Sequence, residues 1–304
     1  MNRKWIGMNY MVVLSIILGG CIGTKENEID HSEIKDQFVS IQEYKGDEFA
    51  LINGVKTDKI AESHREEVVK AVKRFFLDEY NTQVKVHNLV GNEDGVTVYV
   101  ESVGTPAFHA YAVVPIDVEN NTVLGNQVFS LEGEVENAIT SGVYGLVFEE
   151  EFARLNDLLK EITKKKALRG KTSEAINNTQ SFGYGNEYYF VSVFDMELSN
   201  RIVEMYLQNT EYSKEDWERA LQIEETNPES INITIQLYKK EKDILPTKEE
   251  LGSVVKTIEK ADGLPYGAYN ILLHDNSVDR YRGMSNEEHS VEKVDPDYLI
   301  KDTY

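Results

Sequence analysis

The chain has 304 residues, 41% hydrophobic and 28% charged, with 53 Asp and Glu against 32 Lys and Arg and one cysteine, Cys21. One sulfur can neither close a disulfide within its own chain nor supply a multi-cysteine zinc site. A formal net charge of −21 argues against a nucleic-acid partner, whose affinity comes from cations neutralising phosphates.

Residues 1–20 hold no acid, carry Arg3 and Lys4 near the start, and run through an apolar stretch from Met11 to Leu18 into Gly19 and Gly20. A basic start, a short apolar segment and a small-residue end form the pattern of an export signal. The apolar run falls short of the roughly 20 residues that span a bilayer. Leu18-Gly19-Gly20-Cys21 resembles a bacterial lipobox, in which Leu stands three residues before an acceptor cysteine; Gly19 departs mildly from that pattern, where Ala or Ser is more usual. The expected chemistry is a thioether between Cys21 and a diacylglyceryl group, with cleavage between Gly20 and Cys21. Two acyl chains hold a protein stably on a membrane where one does so marginally. The mature chain is therefore expected to be lipid-anchored on the extracytoplasmic face of a cell membrane.

Residues 21–44 read as the lipidated cysteine and a polar tether without periodicity, which as a flexible coil would reach roughly 25 Å. The segment 45–168 reads as an N-terminal α+β half. Val68, Val72, Phe75, Phe76 and Tyr80 recur at helical spacing, predicting an amphipathic helix that begins near Thr57-Asp58. Alternating Val84 and Val86, then Asn92-Glu93-Asp94-Gly95, then Val96, Val98 and Val100 predict a hairpin, with a third strand over Phe108 to Ile116. Residues 132–166 predict helix, broken near Gly142 and Gly145 and ending in Lys164-Lys165-Lys166, whose cations suit a helix C-terminus.

The segment 169–275 reads as a C-terminal α+β half. It opens on a strand over Tyr188 to Val193, then two helices, the second starting at the capping box Ser213-Lys214-Glu215-Asp216. Ile231, Ile233, Ile235 and Leu237 alternate strictly with polar residues, as a half-buried strand does. Thr247-Lys248-Glu249-Glu250 is a second capping box, opening a helix that stops at Asp262-Gly263. A last strand is expected over Tyr269 to Leu273, and a charged, frayed tail over 276–304. The fold class is α+β: antiparallel-rich sheets packed with amphipathic helices, with helix-then-strand order recurring in two similar halves.

Few motifs carry chemistry. Gly170-Lys171-Thr172 lacks the earlier glycine of a phosphate-binding loop, since Lys165 stands there, and it follows a helix where a strand is needed. The six histidines show no metal-binding spacing, although His87 and His109 could meet across neighbouring strands. Glu149-Glu150-Glu151 and Glu132, Glu134 and Glu136 invite a carboxylate-pair or calcium reading, but both runs fall at helix starts, where acids meet the dipole favourably. No cofactor or metal is expected. Of 17 tyrosines, Tyr184, Tyr188, Tyr189, Tyr266 and Tyr269 lie in glycine-punctuated stretches and form the candidate recognition surface; tyrosines packed on sheet faces are the alternative.

The lipobox, His64-Arg65-Glu66, Tyr80-Asn81-Thr82 running into Val84-Lys85-Val86, Glu132-Gly133-Glu134-Val135 with Ala138-Ile139 and Ser141-Gly142, and Tyr188-Tyr189-Phe190-Val191-Ser192-Val193 together resemble a family of uncharacterised lipoproteins from Gram-positive bacteria, classed as a domain of unknown function. The resemblance implies lipid anchoring through Cys21 and carries no catalytic residues. The leading functional expectation is a non-enzymatic, surface-tethered module that binds a protein, peptide or glycan. The alternatives are a cell-envelope hydrolase using carboxylates or His87 and His109, and an assembly factor for another membrane protein.

Overall fold

A computed structural model of the chain describes residues 37–302; the expected export signal, the expected cleavage site at Gly20, Cys21 and the first part of the tether lie outside the described residues. Strand β1 (Phe38–Ser40) and the turn after it occupy the end of the expected tether. Ile41 and Tyr44 are buried there, which holds this stretch against the body instead of leaving it free. The predicted first helix is two helices, α1 (Val55–Ser63) and α2 (Arg65–Tyr80), parted at His64. Val68, Val72 and Phe76 of α2 are buried as their spacing requires, and Asn81 ends it in the left-handed region with φ 50°.

Four strands follow as an antiparallel meander: β2 (Val84–Gly91), β3 (Gly95–Ser102), β4 (His109–Asp117) and β5 (Thr122–Val123). Asp94-Gly95 turns β2 into β3, and the register between them shifts at His87, between the Val86 and Asn88 pairs. Next come α3 (Glu134–Val147) and α4 (Glu149–Lys166). The break falls at Phe148, and Gly142 and Gly145 lie inside α3. Their smallness serves packing: a Cβ on Gly145 would stand 2.5 Å from the Tyr184 ring, and one on Gly142 3.1 Å from the Ala107 carbonyl.

Strand β6 (Leu168–Arg169) and helix α5 (Ser173–Thr179) lead to β7 (Tyr189–Val193), α6 (Met196–Gln208) and α7 (Lys214–Leu221). Both expected capping boxes are formed, Ser213 with Asp216 at α7 and Thr247 with Glu250 at α8 (Lys248–Glu259). Strand β8 (Ile231–Lys239) pairs antiparallel with β6 and β7 and parallel with β9 (Gly267–His274), α8 forming the crossover. The charged tail is paired, not frayed. Its strands β10 (Ser277–Asp279), β11 (Val291–Lys293) and β12 (Leu299–Lys301) lie antiparallel to β1, β9 and β9 respectively. Pairing of this kind depends on an available edge of β9, to which the tail's own polarity gives no clue.

Helix-then-strand order recurs in both segments, but a pure meander in one and a parallel crossover in the other give them different topologies. They share one apolar core. Phe76, Val98, Phe108, Ile139, Phe152, Leu155, Trp217, Ile233, Ile271 and Leu273 all belong to a single buried cluster. A smaller cluster of Ile41, Tyr44, Ala175, Tyr238 and Val278 lies under β1, α5 and β10.

Candidate functional site

The tyrosines expected to form a recognition surface are packing residues. Tyr189, Tyr266 and Tyr269 are buried, and Tyr184 is half-buried. Tyr189 stacks on Phe152 with centroids 5.3 Å apart, and Tyr184 meets the same ring edge-on at 4.9 Å. The hydroxyls that would face a ligand are turned inward: Tyr266 Oη donates to the Thr226 carbonyl at 2.6 Å, and Tyr269 Oη to the Pro265 carbonyl at 2.6 Å. Large amphipathic rings beside a sheet are worth more buried than exposed. Tyr188 lines the second of the two clefts described below.

The expected meeting of His87 and His109 takes place, with ring centroids 6.4 Å apart on β2 and β4. Each ring already has a partner. His87 Nε2 lies 3.0 Å from a Glu101 carboxylate oxygen, and His109 Nε2 lies 3.1 Å from Asn177 Oδ1. Burial holds His87 below the ordinary histidine value, against the opposing pull of Glu101, so it is neutral near pH 7. Among the described residues no group of three or more His, Cys, Asp or Glu side chains is placed to hold a metal ion. The glutamate runs open α3 and α4: Glu134 and Glu136 lie in the first turn of one and Glu149, Glu150 and Glu151 in the first turn of the other. That placement fits the helix dipole.

Two surface clefts are similar in size and differ in charge. One, of about 600 Å³, has an apolar floor of Val147, Phe148, Leu221 and Ile223 and a rim that includes Glu150, Glu218 and Glu224 beside Lys214 and Arg219. The other, of about 590 Å³, is walled by the last turn of α4, by β6, by the turn into α5, by Glu187-Tyr188 and by Lys240 after β8. Its charged lining is Lys164, Arg169, Lys171, Lys240 and one acid, Glu187. In a protein so rich in carboxylates this is a local inversion of charge.

Backbone contacts fix the walls of the second cleft. The N–H of Lys171 donates to the Glu187 carbonyl at 2.9 Å, and that of Lys240 to the Ala167 carbonyl at 2.9 Å. Gly170 is pressed so closely on Glu187 that a Cβ would stand 2.2 Å from its carbonyl oxygen. Arg169 is set beside Tyr238 by the β6–β8 register, and its Nε is shut off from solvent with no hydrogen-bond partner. These four cations come from two stretches of sequence, Lys164, Arg169 and Lys171 from one and Lys240 from the other. The lysine run at 164–166 and the Gly170-Lys171-Thr172 turn were visible in the sequence, as a helix end and as an incomplete phosphate loop; only the fold brings them to Lys240.

The fold defines an α+β body in which a four-stranded meander and a six-stranded mixed sheet share one core, with a cationic cleft at the α4–β6–α5 junction. The chain belongs to the DUF1672 family, described as protein of unknown function, whose family model matches residues 31–301. It is similar to the 1.80 Å crystal structure of a DUF1672 family protein from Staphylococcus aureus subsp. aureus Mu50, with a TM-score of 0.70 and 20% sequence identity over 84% of this chain and 96% of that one. At that identity the likeness is one of fold. Staphylococcus aureus is a Gram-positive bacterium, in keeping with the family resemblance drawn from the sequence motifs. No match is found among curated proteins.

Proposed function

We propose that the protein is a membrane-anchored extracytoplasmic lipoprotein that works as a non-enzymatic binding module. The observation that carries the anchoring is the position of Cys21, the sole cysteine, at the end of a basic-then-apolar leader and directly after Leu18-Gly19-Gly20. Among the described residues no helix is long and apolar enough to cross a membrane; in the proposed reading two acyl chains on Cys21 supply a stable attachment. The binding role is supported by preformed clefts with fixed backbone walls, the usual setting of a small-ligand site.

Metabolic labelling with an alkyne fatty acid in a Gram-positive host tests the anchoring. Label on the wild-type chain that disappears in Cys21→Ser is the expected result. Label that persists in Cys21→Ser overturns it.

A further inference from the structure

The cleft at the α4–β6–α5 junction has a charge pattern that runs against the rest of the molecule. Lys164, Arg169, Lys171 and Lys240 line it with Glu187 as their single acidic neighbour on the walls. Among the described residues, none of the four cations makes an ion pair with a carboxylate, although 53 acids are available against 32 bases. Neighbouring lysines show that pairs form freely close by: Lys165 pairs with Glu161, and Lys239 with Glu250. Arg169 is half-buried, and the unpartnered Nε is closed off from solvent.

We propose that this cleft is a binding site for a phosphate-bearing ligand. After Glu187 is counted, the walls hold an excess of positive charge that a single carboxylate would leave largely unmet. A phosphate carries up to two negative charges and three acceptor oxygens, which suit an Arg fork together with lysine point charges approaching from different walls. At about 590 Å³ the cleft is much larger than a lone ion and has room for the organic part of a phosphorylated molecule. The proposal rests on the binding-module reading and is independent of the acyl anchor.

The test is a calorimetric titration of the full chain, held in uncharged detergent, with pyrophosphate. The expected result is saturable binding that weakens at least tenfold in Arg169→Gln/Lys171→Gln and is unchanged in Lys70→Gln/Lys73→Gln, which removes the same charge from the exposed face of α2. Urea midpoints for both double variants report whether each is folded. Equal weakening in the two variants, or no saturable binding, overturns the phosphate site while leaving a module with some other ligand. Citrate binding as tightly as pyrophosphate overturns the assignment to phosphate. Titration with dihexanoyl phosphatidic acid separates the sources: tighter binding than pyrophosphate assigns the phosphate to a lipid headgroup, and weaker binding assigns it to a soluble molecule. Failure of the fatty-acid labelling would leave these results untouched.

Discussion

His274, near the end of β9, supplies a titration whose size follows from its surroundings. The residue is 5% exposed, its ring lies 4.9 Å from that of Tyr238, and Nδ1 is 2.7 Å from Ser290 Oγ. Burial, with Lys171 acting in the same direction and Asp275 against it, pushes its pKa down to about 4 from 6.5. Between those values the unfolded chain binds a proton that the native chain does not. Stability is therefore fully present above the unfolded pKa and falls as pH drops from 6.5 towards 4. From pH 7 to pH 5 the loss from this one group is about 2 kcal/mol. Urea unfolding at both pH values, on the wild type and on His274→Gln, isolates it, because the carboxylates titrate alike in both proteins. The variant starts less stable at pH 7 but should lose about 2 kcal/mol less on acidification. Identical losses in the two proteins would refute the reasoning.

Two glycines in helices are expected to respond to alanine with opposite signs. Gly145→Ala drives a Cβ to 2.5 Å from the Tyr184 ring and should destabilise by about 1–3 kcal/mol through overpacking. Gly252→Ala on α8 meets nothing within 4 Å and should stabilise by about 0.5–1 kcal/mol; thermal unfolding of both variants checks the pair. Glu250 closes the α8 capping box and pairs with buried Lys239 at 2.6 Å. Glu250→Ala should cost about 2–3 kcal/mol, since it leaves a buried ammonium unpaired and removes the carboxylate that accepts from the Thr247 N–H, the Thr247 cap itself being kept. Lys239→Met, which removes the buried charge itself, should cost less; urea midpoints that reverse this order would contradict the assignment.

What the sequence showed well was local. The hairpin at Asp94-Gly95, the capping boxes at Ser213 and Thr247, and the alternation over Ile231–Leu237 are each set by a few neighbouring residues, and each is formed as expected. What it misjudged was tertiary. Gly142 and Gly145 look like helix breakers until Phe108 and Tyr184 are seen packed against them. The tyrosines near glycines look like a surface until Phe152 is found beneath Tyr184 and Tyr189. The tail has no period of its own because β9 supplies its pairing partner. The cationic cleft was legible only in fragments, for Lys164, Arg169, Lys171 and Lys240 meet through the α4–β6 turn and the β6–β8 register.

Acylation of Cys21, on which the proposed anchoring rests, is tested by mass spectrometry of the N-terminal peptide of the protein isolated from membranes of a Gram-positive host. The expected result is a peptide beginning at Cys21 that carries a diacylglyceryl thioether. A peptide beginning at Met1, or an unmodified Cys21 thiol in the membrane-derived protein, would contradict it.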